Sequence, residues 1–549
     1  MNYILKKNFK VLLLSILTEK NAIITEELGI CSIGACLRKE GYDVKIINTS
    51  RTYLNMKEIY SYSPNIIGIP MYSTTENVVS EACQVIRKHL PNTIFVLGGY
   101  WPTLAYKELL EKYECFDYVI VGEGEIPFVN FARAVEEKKI VENIRSLVYR
   151  KNGEIIANER EPLIADLDEL PYAARDLLGR NMLRYAYIST SRGCMANCSF
   201  CWHRHFWGTN RNNCWRGRSP QNIVGEIKQL VEENGINRFW FIDNSFEDHA
   251  PGDKDRMLKI AQGIIDSKVN ISYETYFRAE VYKRFTPESI EIMRKSGLVG
   301  TIIGIESGNK EDLLLYRKRA SVEDNYKVIE FFRHNGIAVD IGFINFNPYS
   351  TFTKLRKNAK YLYDTKYGSV LYYFVERCGI TSFSDMLEKV NSDGLLLDSD
   401  AADPYAYRYE CDSVGKLSDF LYYRFHGNKD SKEYFYSKKI GSIIREEFKL
   451  LNHIKRHYNE AVPIVEAAEE LFWENIEKVN EHNTKGFLEL VDLAEFGWDE
   501  QKAEDIANSY WNLQIMHEMS NKIEYIRLKL YMDLGKIGVS PNVYFMLEK

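Results

Sequence analysis

Ser191-Arg192-Gly193-Cys194-Met195-Ala196-Asn197-Cys198-Ser199-Phe200-Cys201-Trp202 sets three cysteines in a C-x3-C-x2-C pattern. The run before it, residues 185–190, is rich in aromatic and β-branched side chains, so the cysteines fall on the loop that leaves a strand. Further strand candidates follow at 238–242, 271–277, 300–305, 339–345 and 369–375. Helical periodicity fills the gaps at 220–234, 254–267, 287–296 and 322–335. Six strand–helix units in about 200 residues predict a barrel, complete or partial, and barrels build their active sites on the loops at the C-terminal ends of the strands.

Three closely spaced thiolates on one loop can hold three irons of a [4Fe–4S] cluster and leave the fourth iron open. The same residues also allow a zinc site completed by His203 or His205, since structural zinc takes four protein ligands. Ten cysteines in 549 residues do not make a disulfide framework.

Upstream, short apolar runs at 10–17, 43–48, 66–72, 93–97 and 118–121 alternate with helical stretches at 27–40, 76–89 and 103–111. This alternation predicts an α/β, doubly wound parallel sheet. Residues 147–150 and 154–157 flank Asn152-Gly153, the pair that type I′ hairpin turns favour. A polar, proline-punctuated stretch at 159–175 reads as a linker. From about Tyr434 onward strand signals give way to helical periodicity, as at 464–479 and 501–533. A net charge of -6, from 71 Lys+Arg against 77 Asp+Glu, excludes a generic polyanion-coating protein and disfavours nucleic acid as substrate. No run reaches the roughly 18 apolar residues of a membrane span. Lys6, Lys7 and Lys10 before the first apolar run imitate a signal peptide, but Thr18-Glu19-Lys20-Asn21 stands where a cleavage site belongs, so the expected location is cytoplasmic.

The C-x3-C-x2-C loop after a first barrel strand resembles that of the radical S-adenosylmethionine (SAM) superfamily. Trp202, directly after the last cysteine, matches an aromatic residue beside the cluster and adenine in that family. Arg216-Gly217-Arg218-Ser219-Pro220 resembles its R-x-R-S-P, Asp243-Asn244-Ser245-Phe246 its D-D-x-F with Asn244 as a departure, and Gly304-Ile305-Glu306-Ser307-Gly308 its G-x-E-S-G. The resemblance implies that Cys194, Cys198 and Cys201 ligate the cluster and that Trp202, Asp243, Arg278, Glu306 and Ser307 contact SAM. Taken alone, Glu306 could equally cap or pair locally and Arg278 could be a surface cation. Cys378, past the sixth strand candidate, is either buried packing or a catalytic thiol at the barrel mouth.

The first strand is not followed by G-x-G-x-x-G, which argues against a standard dinucleotide site. Glycines cluster after later strands instead, where they let a large flat ligand approach the backbone. Gly98-Gly99-Tyr100-Trp101-Pro102-Thr103 and Val121-Gly122-Glu123-Gly124-Glu125 resemble the G-G-x-H-P-T and V-G-E-G-E of the cobalamin-binding domain fused to many radical SAM enzymes, and Pro64-Asn65-Ile66-Ile67-Gly68-Ile69 its P-D-x-x-G-x. Trp101 replaces the usual His and Asn48 an Asp. No D-x-H-x-x-G supplies an imidazole below the cobalt. The resemblance assigns Ser73, Thr74, Gly98, Gly99, Gly122, Glu123, Gly124 and Glu125 to cobalamin.

Together these resemblances imply a cobalamin-binding Rossmann-like domain over 1–160, a linker over 161–180, a partial (β/α)6 radical SAM barrel over 181–395 and a mainly helical C-terminal domain over 396–549. They imply three cofactors, a [4Fe–4S] cluster, SAM and cobalamin. The implied activity is a methyltransferase that moves a methyl from SAM by way of methylcobalamin to an unactivated carbon, using a 5′-deoxyadenosyl radical from a second SAM. A cobalamin-dependent cyclase, ring-contracting or oxidising enzyme is the alternative, because Gly342-Phe343-Ile344-Asn345-Phe346-Asn347-Pro348 lacks the G-L-P-G-E-T of many relatives. A zinc or cobalamin sensor is a further one. The expected partners are a small-molecule or peptide substrate and an external one-electron donor of flavodoxin or ferredoxin type, without a membrane.

Overall fold

The computed structural model describes residues 6–17, 26–178, 185–207, 215–380, 383–397, 405–427 and 432–540. They form two compact units: the first holds residues 1–195, 203–242 and 248–254, and the second holds 196–202, 243–247 and everything from 255 on, so the chain first crosses within the cysteine loop, after Met195. The residues that follow the first strand at 18–21, and the expected boundary at 180/181, lie outside the described residues.

In the first unit, β1 (Lys6–Leu17), α1 (Leu28–Lys39), β2 (Tyr42–Ser50), α2 (Met56–Tyr62), β3 (Ile66–Pro70), α3 (Glu76–His89), β4 (Ile94–Gly98), α4 (Tyr100–Lys112), β5 (Tyr118–Ile120) and α5 (Glu125–Glu136) follow one another. The sheet order is β2-β1-β3-β4-β5, all parallel. Sheet order therefore reverses between β1 and β3, the crevice where doubly wound proteins bind ligands at the carboxyl ends of the strands. The core is built from the continuous apolar runs of β1 and its neighbours against α1 and α5, with Val11, Leu13, Ile66, Val96 and Phe128 among its buried members. Gly68 is set by this packing. A Cβ there would lie 2.7 Å from the Phe128 ring and 2.8 Å from Leu13.

The hairpin β6 (Leu147–Lys151) and β7 (Glu154–Ala157) extends the sheet antiparallel to β5. Asn152 and Gly153 have φ of 52° and 84°, the pair of positive values that a type I′ turn requires. The same unit holds β8 (Tyr185–Ile188), the two-residue pair β9 (Ser191–Arg192) and β10 (Arg216–Gly217), α6 (His203–Trp207), α7 (Pro220–Asn234) and β11 (Arg238–Phe241), with β11 parallel to β8. Ser219 caps α7 by accepting from the Asn222 amide at 3.1 Å, with Pro220 in the first turn.

The second unit contains α8 (Arg256–Asp266), β12 (Ser272–Arg278), α9 (Pro287–Lys295), β13 (Leu298–Glu306), α10 (Lys310–Leu315), α11 (Val322–His334) and β14 (Ala338–Phe343), the three strands parallel and adjacent in that order. Residues 369–375, predicted as a sixth strand, are instead a 3-10 turn, Tyr367–Ser369, and a short helix, Tyr372–Val375. Tertiary contacts override the β-rich composition there. The Tyr367 hydroxyl donates to Val339 O at 2.7 Å and that of Tyr373 to Asp340 Oδ1 at 2.5 Å, which ties the turn to β14. The chain pairs later and briefly, through a parallel bridge between Phe346 and Arg377.

Downstream helices include Asp385–Ser392, Asp412–Tyr422, Lys432–His457, Val462–Phe496, Glu500–Trp511 and Leu513–Lys536. The predicted helix over 501–533 is broken at Asn512, which caps the last helix by accepting from the Ile515 amide at 3.0 Å. Helix Lys432–His457 is fastened to the strands by charge. Lys449 pairs with Glu274 of β12 at 2.5 Å, Arg445 with Asp340 of β14 at 2.5 Å, and Arg456 donates to the carbonyls of Leu298 and Gly336.

Glu447 of the same helix is buried, paired with Arg527 at 2.6 Å, and burial pushes its carboxyl up to about 7 in spite of that partner. A carboxyl whose folded pKa exceeds its unfolded value of 4.5 contributes stability that is fully present below 4.5 and is lost as pH rises through 7. Stability of the helical region is therefore expected to fall by about 3 kcal/mol across that window. Glu447→Gln should flatten the fall, as read from urea midpoints at pH 5 and pH 8; an unchanged slope would show that other groups set it.

Candidate cofactor sites

At the carboxyl edge of the first sheet, β3 leads into the turn Ser73–Thr75, β4 into Gly98-Gly99 and β5 into Gly122–Glu125. A Cβ at Gly122 would meet nothing within 4 Å, one at Gly98 only Ile120 O at 3.8 Å, and one at Gly99 only Pro70 at 3.9 Å. These three glycines leave a shelf along which a flat ligand can lie against backbone, which fits a corrin. Gly124 differs from them. A Cβ there would stand 2.7 Å from Ile33, so its small size serves packing against α1. Trp101, in the place of the usual His, turns inward: its indole N–H donates to buried Glu76 at 2.9 Å.

The carboxylates of Glu123 and Glu125 are engaged by arginines from the cysteine loop and the R-x-R-S-P segment. Arg192 binds Glu123 at 2.7 Å and Glu125 at 2.6 Å, and Arg216 binds Glu123 at 2.8 Å. Ser32 donates to Glu125 at 2.7 Å. Burial works to raise the Glu125 carboxyl, but the Arg192 charge and these hydrogen bonds hold it below its ordinary range. Its companion cluster joins Arg175 to Glu26 at 2.9 Å and to Glu226 at 2.7 Å, with Arg218 on Glu226 at 2.6 Å. The stretch read as a linker therefore carries a largely covered anchor, Arg175, whose side chain is 11% exposed.

In the second unit Cys198, Cys201 and Trp202 lie on a short loop held by Ser199, whose amide donates to Tyr316 O at 3.1 Å and whose hydroxyl donates to Leu315 O at 2.6 Å. Glu306 ends β13 at a break in register and has a φ of 66°, the left-handed region that costs an ordinary residue energy and clusters at functional sites. Its carboxylate is flanked by glycines: a Cβ at Gly304 would lie 2.7 Å from Oε1 and one at Gly342 3.2 Å from Oε2. Lys318, only 4% exposed, completes the arrangement with Nζ 3.2 Å from Glu306 Oε1. Burial opposes the Lys318 ammonium, but Glu306 and Cys198 outweigh it and raise its pKa; burial likewise pushes the Cys198 thiol up, against Lys318. A charged pair and two glycines at a strand end, beside a cysteine of the loop, fit a small zwitterionic ligand such as the methionine moiety of SAM.

Lys318 did not stand out within Arg317-Lys318-Arg319. Its distance of twelve residues from Glu306 carries no local signal, and only folding brings the two together. Arg278 is a node, with its amide donating to Glu247 Oε1 at 3.0 Å and its guanidinium to Ser245 at 2.8 Å and Glu280 at 3.1 Å. Asp243 is buried. Ser307, an expected SAM contact, is buried; its hydroxyl donates to Asn358 of the helix Phe352–Asp364 at 3.0 Å and accepts from Asn309 at 3.0 Å. Cys378 is 0% exposed, and burial, with Glu306 and Asp312, pushes its thiol up so that it stays protonated. His203 is half-buried in α6, its imidazole pushed down to about 4 by desolvation and accepting from Trp207 Nε1 at 3.2 Å. Among the described residues no group of three or more His, Cys, Asp and Glu side chains is arranged to hold a single metal ion. Thiolates that bind separate irons of one cluster have no need of such convergence.

Residues 14–132 match the B12 binding domain family and residues 188–352 the radical SAM superfamily. The chain belongs to the cobalamin-dependent radical SAM enzymes. Its cofactors are cobalamin, SAM and a [4Fe–4S] cluster. It is 27% identical over 346 residues to an uncharacterized methyltransferase of Pyrococcus horikoshii, covering 61% of this chain and 72% of that one. It is 26% identical over 324 residues to the anaerobic magnesium-protoporphyrin IX monomethyl ester cyclase of Synechocystis, where the match spans 56% of this chain and 62% of the relative. Its fold is that of the cobalamin-dependent SAM radical enzyme OxsB, with a TM-score of 0.67 at 17% identity over 95% of this chain and 84% of OxsB. Among the described residues no helix is long and apolar enough to cross a membrane.

For this radical SAM chain, Gly98→Leu isolates the shelf, because the added side chain meets no protein atom closer than 3.8 Å at Cβ. It should fold normally and weaken cobalamin retention roughly tenfold or more, equivalent to about 1.4 kcal/mol, measured as cobalt per chain after gel filtration. Retention equal to the parent would remove the shelf from the cobalamin site.

Proposed function

We propose that the chain transfers a methyl group from SAM to an unactivated carbon of a small-molecule or peptide substrate. The observation that carries this reading is the presence of two differently built cofactor sites in one chain: a glycine shelf without a nearby imidazole motif and a Glu306–Lys318 strand end beside the cysteine loop. A relative named as a methyltransferase adds support. When bound, the cluster supplies the electron that cleaves SAM and cobalamin supplies the methyl carrier.

The chain's own residues bind, orient and exclude water. Cys194, Cys198 and Cys201 would hold iron through thiolates. Glu306, with its negative charge held by Lys318, would accept from the SAM amino group, and the Lys318 ammonium and Arg278 guanidinium would balance the carboxylates gathered there. Trp202 and Asp243 complete the proposed SAM contacts, while Ser73, Thr74, Gly98, Gly99 and Gly122 would line cobalamin. Glu123, Gly124 and Glu125 would serve it by fixing the β5 turn. The proposed division of the chain remains 1–160, 161–180, 181–395 and 396–549, with location in the cytoplasm and a flavodoxin- or ferredoxin-type electron donor.

The cyclase, ring-contracting or oxidising reading keeps the same residues. It is favoured by the cyclase relative and by the Gly342–Pro348 segment that departs from G-L-P-G-E-T. The two readings separate without a known substrate. Protein loaded anaerobically with cobalamin, reduced and given SAM alone, should release S-adenosylhomocysteine in proportion to bound cobalt if it moves methyl groups. Release of 5′-deoxyadenosine alone would point to the second reading. The triple change of Cys194, Cys198 and Cys201 to Ala should abolish iron binding and 5′-deoxyadenosine formation while leaving cobalt retention unchanged. Iron that survives it would overturn the cluster assignment.

A further inference from the structure

The sequence leaves open what replaces an imidazole beneath the cobalt. The crevice between β1 and β3 offers an answer in Tyr72, the second residue beyond β3. The backbone of Tyr72 is locked into the turn that follows: its amide donates to Thr75 Oγ1 at 3.1 Å and its carbonyl accepts from the Thr75 amide at 3.0 Å. Its hydroxyl donates to Glu27 Oε2 at 2.8 Å, and Glu27 stands at the entry to α1, on the far side of the same crevice. Glu27 is 8% exposed, yet Tyr72 is 39% exposed. A large aromatic side chain is thus pinned at both ends while part of its surface faces outward at the ligand-binding edge of the sheet, one residue beyond Met71, whose amide donates to Gly98 O of the neighbouring β4 end.

Such a residue has a cost without a ligand. It holds apolar surface in water and spends side-chain entropy on a fixed rotamer. A flat macrocycle laid on the shelf would cover it. The hydroxyl is the one group of Tyr72 able to ligate a metal, and it would do so as a phenolate. Its hydrogen bond to Glu27 commits the proton, and a carboxylate at 2.8 Å opposes loss of that proton by like-charge repulsion.

We propose that Tyr72 is the residue beneath the cobalt, held by Glu27 as a neutral phenol that packs under the corrin without ligating the metal. Glu27 is then a positioning residue that acts through Tyr72. The proposal rests on the cobalamin assignment of the first unit. It goes beyond that assignment in naming the residue that forms the floor of the site and the carboxylate that holds it.

The test uses the full chain loaded with cobalamin and reduced to the cob(II) state. In Tyr72→His an imidazole replaces the phenol at the same place. Its electron paramagnetic resonance spectrum should show nitrogen splitting of the cobalt lines as triplets, changing to doublets when the protein is grown with nitrogen-15 histidine. The parent spectrum should show no histidine-dependent splitting. Cobalamin retained by Tyr72→His without that splitting would overturn the proposal. A second measurement uses the unaltered fold: with ring-deuterated tyrosine, the parent should show a deuteron modulation of the cob(II) signal that Tyr72→Phe lacks. Identical modulation in the two proteins would equally overturn it. Failure of the parent chain to retain cobalt at all is a different result, and would overturn the cofactor assignment together with the proposal.

Discussion

Arg175 binds two carboxylates that come from distant parts of the chain, Glu26 before α1 and Glu226 in α7, and all three groups are largely withdrawn from water. Removing charge from water costs several kcal/mol per ion, so such a cluster persists only when every charge is answered. Here four carboxylates, Glu26, Glu226, Glu123 and Glu125, meet four guanidinium groups, Arg175, Arg218, Arg192 and Arg216. The balance constrains geometry. It fixes the β5 turn against the strand β9 that opens the cysteine loop, and it fixes the linker and α7 against the entry of α1. An apolar contact of equal area would tolerate sliding; guanidinium groups that bridge two carboxylates, as Arg175 and Arg192 do, do not.

That constraint gives the V-G-E-G-E and R-x-R-S-P segments a reading different from direct cofactor contact. Their charged residues face one another, and the residues left facing the carboxyl edge are backbone and glycine. A shelf made of backbone offers a macrocycle contact without side chains that could compete for its metal, while the electrostatic anchoring lies behind it. The second unit shows the same division at Glu306. The strained left-handed residue carries the carboxylate, Lys318 answers its charge, and Gly304 and Gly342 keep the space beside it clear.

The readable parts of the fold were those fixed by local pattern. β1 to β5 follow from continuous apolar runs, the α3 and α7 limits from their periodicity and caps, and the hairpin from Asn152-Gly153. The motifs also gave the places of the glycine turns and of Glu306. What sequence did not reveal is set by distant partners. Residues 369–375 have a strand's composition, but the hydroxyls of Tyr367 and Tyr373 find acceptors on β14 only if the segment coils. Lys318 and Tyr72 have the same character. Each is an ordinary residue in its local context and becomes distinctive through one long-range partner, Glu306 or Glu27. A motif alone does not separate residues that build a turn, as Gly124 does by packing on Ile33 and Ser307 by its hydrogen bonds, from residues that face a ligand, because a turn needs small and hydroxyl-bearing side chains as much as a ligand does.

A chain that handles a carbon radical must keep reactive intermediates from every group other than the intended one, and the arrangement of fixed protonation states serves this end. The phenol of Tyr72 has its proton committed to Glu27, the thiol of Cys378 is kept neutral by burial, and the charges of Glu306 and Lys318 cancel across 3.2 Å. The Tyr72 phenol and the Cys378 thiol cannot lose their protons without placing a new charge in a low-dielectric interior or beside a carboxylate, so each presents its neutral form. Positioning by doubly held side chains also limits rotamer freedom where the reacting atoms must meet. The structure thus leaves the demanding chemistry to the cofactors, and spends its buried charge on holding their surroundings still.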